Sequence, residues 1–160
     1  MTALEWFESI ADERRRIDGI REQKALLESK LEPHGQALGA TGHGGNADKM
    51  FSLVLARMRL TDLQELERKL PDMQRALDDR IDDALDVLYG KSGRGGLAKA
   101  RSSTDADILC CYYLQGMGWP EIASDVVKPN TEWPRQWCRR RAMLALDYID
   151  RVGIAKLANS

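Results

Sequence analysis

An apolar stripe at heptad spacing, cut off by a run of glycines, constrains this chain most. Trp6, Ile10, Ile17, Ile20, Leu27 and Leu31 fall at a and d positions, with Glu13 and Lys24 as polar members of the same seam. That repeat predicts one long helix over residues 3–32 with a face that needs a partner helix. Polar seam positions tend to set register or oligomer number at some cost in stability. Pro33 and Gly35 end the helix, and the following stretch, PHGQALGATGHGGN, holds five glycines and reads as a flexible connector. A second tract, over residues 48–89, repeats Leu63, Leu66, Leu70, Met73, Leu77, Ala84 and Leu88 at three and four residues, with Ile81 and Leu85 adjoining. Pro71 interrupts it while the apolar phase continues, which predicts a kink or two abutting helices rather than a domain boundary. Two such helices joined by a glycine loop predict an antiparallel hairpin. Their apolar faces exceed what one hairpin covers, so self-association through residues 3–89 is expected.

Composition narrows the function classes. The chain has 160 residues, 43% hydrophobic and 31% charged, ordinary for a helical protein in water. No apolar stretch approaches the ~20 residues of a membrane span. The opening MTALEWFESIADERRR has acids before its bases and no apolar centre, unlike a secretion signal. Three cysteines, two of them adjacent at Cys110 and Cys111, form neither a disulfide framework nor a metal-ligand spacing. A reducing cytoplasm is the expected setting. The net charge of −1 hides a division: residues 1–89 hold 13 Lys/Arg against 18 Asp/Glu, and residues 90–160 hold 11 against 7. Only the second half is therefore expected to meet a polyanion.

Residues 90–103, GKSGRGGLAKARSS, carry four bases and no acids. They read as a linker between a hairpin at 1–89 and a C-terminal unit at 104–160. The linker is either merely solvated or a basic arm whose Arg94, Lys99 and Arg101 touch phosphates.

Residues 104–153 read as a helix-turn-helix in an all-α chain. The first helix, with Ile108, Leu109, Cys111, Tyr112 and Leu114 as its apolar surface, stops at Gly116 and Gly118. A short helix begins WPEIA, with Pro120 in the first turn where its missing N–H costs nothing. Its inward face is Ile122, Ala123 and Val126. A polar turn, Lys128 to Thr131, leads to a last helix in which Cys138, Ala142, Ala145, Ile149 and Val152 form the core stripe. Arg135, Gln136, Arg139, Arg140 and Met143 then face away from the core. Arginine forks grip guanine edges or phosphates, and glutamine can read adenine. The candidate DNA contacts are therefore Lys128, Thr131, Arg135, Gln136, Arg139 and Arg140, with Arg94, Lys99 and Arg101 from the basic arm. The competing account is a solvated arginine face paired with Asp147 and Asp150.

The aromatic residues are expected to be core: Trp119 under the turn, Trp137 at the core edge, and Tyr112, Tyr113 and Tyr148 within the bundle. His34 and His43 lack Cys or acid partners at ligand spacing. No Ser/His/Asp set, P-loop or dinucleotide fingerprint is present, so no catalysis, cofactor or metal is expected.

Residues 105–149 resemble region 4 of bacterial sigma factors, and in particular the phage-encoded ArpU-type late transcription regulators. The matching residues are CYYLQG at 110–115 with Gly116, then Trp119, Glu121, Ile122 and Ala123, then Ala145, Leu146 and Ile149. The resemblance implies promoter or operator binding on double-stranded DNA by the last helix, with RNA polymerase as a further partner. The turn Val127 to Pro134 is longer than usual for the motif and holds two prolines, which leaves the start of the recognition helix open. Two alternatives remain: a DNA-packaging protein of the small-terminase kind, and a coiled-coil interaction protein without DNA binding.

Overall fold

The structure is a computed structural model that describes residues 1–31, 46–125 and 135–160, and their side chains except at 30, 31, 46–52 and 135. Its elements are α1 (Ala3–Leu31), α2 (Asn46–Tyr89), α3 (Gly96–Ala100), α4 (Ser103–Leu109), a π-helical stretch (Cys110–Gln115), α5 (Trp119–Asp125), α6 (Arg135–Val152) and α7 (Ile154–Ala158). No strand occurs among the described residues. No described helix is long and apolar enough to cross a membrane.

The chain divides into two compact units, one of residues 1–14 with 76–160 and one of residues 15–75. This is not the division expected at 89 and 103. α2 is one element through Pro71, and the boundary falls four residues beyond that proline, within the helix.

The start of α1, in the first unit, shows why the helix begins there. Thr2 Oγ1 accepts the Glu5 N–H at 3.2 Å, while Glu5 Oε2 accepts the Thr2 N–H at 2.8 Å. This reciprocal capping box satisfies two donors that the first turn leaves without partners. These Thr2 bonds hold the Glu5 carboxyl below its usual pKa. Asp150 Oδ1 of α6 accepts the Ala3 N–H at 2.6 Å, so a distant helix completes the cap.

The core of this unit collects Ala3, Phe7 and Ile10 of α1, Leu77, Ala84 and Leu88 of α2, and Leu97 of α3. Ile108, Leu109 and Tyr113 join from the middle, and Ile122, Ala145, Ile149 and Leu157 from the C-terminal helices. α4 packs on α3 and α6, α5 on α6 and the π-helical stretch, and α7 on α3 and α6. Phe7 meets Tyr113 with ring centroids 5.5 Å apart. Arg80 donates to Glu13 and to Ser9, which accounts for a polar residue in the heptad seam.

Two expectations need correction here. Residues 90–103 are not a linker: they contain α3, with Gly95, Gly96 and Leu97 buried. At Gly96, φ is +61° and a Cβ would lie 2.7 Å from backbone atoms of Leu88, Tyr89 and Gly90. The glycines that looked like flexibility permit this close backbone approach. The second correction concerns phase. Cys110 and Tyr113 are buried, while Cys111 and Tyr112, expected inward, are only half-buried. Bonding from i to i+5 adds a residue per turn and rotates the inward face away from its α-helical position. The stretch ends at Gly116 (φ +75°), and Arg14 Nη1 donates to the Leu114 carbonyl at 3.0 Å.

In the second unit, Ile17 and Leu63 are buried, and Ile20, Lys24, Leu27, Leu66, Leu70 and Met73 are half-buried. The seam read from the sequence is thus the less exposed face. Lys24 Nζ lies 3.3 Å from Glu67 and 3.6 Å from Glu28, and Arg21 donates to Gln74. Leu26, Leu53, Val54, Met58 and Leu60 are exposed.

Candidate nucleic-acid interface

The helical phase of α6 divides its residues into an inner and an outer set. Cys138, Ala142, Ala145, Leu146 and Ile149 are buried, each at 2% exposure or less, and Val152 is half-buried. Gln136, Arg139, Arg140 and Met143 are exposed. The side chain of Arg135 and the whole of Lys128 and Thr131 lie outside the described residues, as do Val126, Trp133, His34 and His43.

The three consecutive arginines have different surroundings. Arg141 Nε donates to Asp105 Oδ1 at 2.6 Å, and its guanidinium sits 5.0 Å from the Trp137 ring centre. Asp105 is wholly buried, and its other oxygen accepts from Arg101 Nε at 2.6 Å. A buried carboxylate needs such pairing to stay charged at tolerable cost. Among the described residues no ion pair holds Arg139 or Arg140. Nor do the expected acidic competitors occupy them: Asp150 caps α1, and the contact between Arg151 and Asp147 is to the Asp147 carbonyl.

The basic arm is scattered. Arg101 is held by Asp105, donates to the Leu144 carbonyl at 2.9 Å and lies 5.9 Å from the Tyr148 ring centre, so it serves packing of α4 against α6. Arg94 is exposed in the turn before α3, next to Gly95, where a Cβ would meet the Ser160 carbonyl oxygen at 2.1 Å. Lys99 is exposed on α3. The structure therefore brings Gln136, Arg139 and Arg140 onto one face and removes Arg101 from the candidate set.

A half-open cleft of about 360 Å³ adjoins Arg139. Its walls include Leu4 and Glu8 of α1, Tyr112, Trp119 of α5, and Met143. Tyr112 and Trp119 stack with ring centroids 4.0 Å apart and planes 17° from parallel. α5 holds Trp119 in place through Pro120 in its first turn and the Gly118 N–H donated to Glu121 Oε2 at 2.9 Å. Sequence reasoning missed Leu4 and Glu8, because no local pattern links α1 to α6 across more than a hundred residues.

Burial pushes the thiols of Cys110, Cys111 and Cys138 above their ordinary pKa, which keeps them protonated and unreactive near neutral pH. Among the described residues no group of three or more His, Cys, Asp or Glu is placed to hold a metal ion. The chain matches no protein-family model, no curated protein and no solved structure.

Proposed function

We propose that this protein binds double-stranded DNA through α6 and acts as a phage or prophage transcription regulator of the sigma region 4 kind. The observation that carries this is the exposed set Gln136, Arg139 and Arg140 opposite the buried stripe of α6, with both arginines outside any described ion pair. Two free guanidinium forks and an amide on one helix face suit a major groove, where base edges carry a readable pattern of donors and acceptors. The π-helical stretch with α4, α5 and α6 supplies the three helices that a helix-turn-helix needs. In this reading α1 and α2 form an antiparallel hairpin. Supporting it within the second unit, the pairs Arg21 with Gln74 and Lys24 with Glu67 descend in α2 as they ascend in α1. Exposed Leu26, Leu53, Val54, Met58 and Leu60 support self-association of the same region.

The test is Arg139→Ala combined with Arg140→Ala, assayed on duplex genomic fragments at low and moderate salt. Folding should change by only about 0.5 kcal/mol, as is usual for exposed positions. Affinity should fall by about 1–3 kcal/mol if one arginine reads a base edge. A phosphate-only role would weaken all sequences alike and flatten the salt dependence. Unchanged duplex binding would remove α6 as the reader.

A further inference from the structure

We propose that the cleft beside Arg139 binds an unpaired guanine base. It is bounded by the start of α1, the π-helical stretch, α5 and α6, and its volume of about 360 Å³ lies in the range of small-ligand pockets. Proteins take unpaired bases by stacking them on aromatic rings and hydrogen-bonding their exposed edges. The stacked pair Tyr112 and Trp119 forms one wall, and the apolar Leu4 and Met143 contribute to the others. The cleft also holds one acid and one base, Glu8 and Arg139, both exposed. No ion pair joins them among the described residues, so each remains available to a ligand. Both are felt inside the cleft. Burial pushes the Tyr113 phenol up to about 12, with Glu8 adding to the rise and Arg139 opposing it.

A carboxylate only accepts hydrogen bonds and a guanidinium only donates them. The ligand must therefore present donors on one edge and acceptors on the next. Guanine offers N7 and O6 to an arginine fork, and its N1–H and N2–H₂ to a carboxylate, a pair of suitable partners for each group. Adenine and cytosine cannot satisfy both groups with two bonds each. The proposal rests on the nucleic-acid reading above only for where the base comes from.

The experiment titrates the full chain with GMP, IMP, AMP and CMP, followed by amide chemical shifts at Tyr112 and Trp119. GMP should bind at least about fivefold tighter than AMP or CMP, the lower end of discrimination by a bidentate contact. IMP, which lacks the 2-amino group, should fall between. Glu8→Gln should erase most of this preference while leaving intact-duplex affinity unchanged. Trp119→Leu should abolish binding of all four, and if that variant fails to fold, Glu8→Gln still decides. A duplex with one bulged guanine against one with a bulged adenine identifies the source. A guanine-bulge preference that Glu8→Gln removes assigns the cleft to nucleic acid, and GMP preference without it assigns a free nucleotide. Equal affinity for the four nucleotides, or shifts confined to Arg139 and Arg140, would overturn the proposal and leave the duplex reading intact. Guanine-selective binding without duplex affinity would do the reverse.

Discussion

The two units of this chain use similar helices to different ends. In the first, eight helical segments surround Phe7, Ile10, Leu88, Leu109, Ile122 and Ile149, and the one buried charge among the described residues, Asp105, has an arginine on each oxygen. In the second, two helical segments bury Ile17 and Leu63 among the described residues, and five large apolar side chains stay in solvent. A two-helix arrangement can cover one stripe on each helix and no more, whereas a bundle covers several. Apolar periodicity alone therefore does not tell a closed core from a surface still open to a partner.

The largest test of that contrast is Phe7→Ala. Phe7 is fully buried and in ring contact with Tyr113, so truncation should cost about 3–5 kcal/mol in denaturant unfolding of the first unit. A loss below 1 kcal/mol would mean that the core is not closed around it. Gly96→Ala comes next. Its positive φ and the 2.7 Å approach to backbone atoms should cost at least about 1–3 kcal/mol. A neutral result in the same unfolding assay would restore residues 90–103 as a linker.

A smaller effect belongs to alkaline pH. Burial raises the Tyr113 phenol from 10.0 to about 12, so folding favours its protonated form. The resulting stability is complete below the unfolded value and is lost as pH rises through the folded one. Unfolding curves should show this decline between those two values, and Tyr113→Phe should flatten it. A profile identical in the variant would assign the decline to other groups. The smallest change in folding is expected from Leu53→Ala with Met58→Ala, about 0.5 kcal/mol or less because both are exposed. If the outer face of α2 holds copies together, the same variant should weaken self-association on sedimentation. Loss of folding stability without loss of assembly would close that face to a partner role.

Much of the architecture was legible because helices announce themselves locally. The α6 stripe at spacings of four and three is the buried one, and the described heptad positions are the less exposed ones in both long helices. The expected site was legible only in part. The outward phase of Gln136, Arg139 and Arg140 follows from the stripe. The role of Arg101 does not, because its partner Asp105 is buried only once α4 meets α6. Of the aromatic pair in CYYLQ, Tyr113 lies in the core as expected, while the π-helical bonding leaves Tyr112 half-buried and stacked on Trp119.

Sequence by itself determined an all-helical chain, its two long helices with their less exposed faces, and the buried stripe of α6. These depend on backbone geometry and side chains within a few turns of one another. Tertiary structure alone decided that residues 90–103 fold into the first unit and that the units part within α2. It also decided which of three adjacent arginines is sequestered, and that Glu8 shares a cleft with Arg139. Those outcomes depend on groups tens to more than a hundred residues apart, whose meeting no local period encodes.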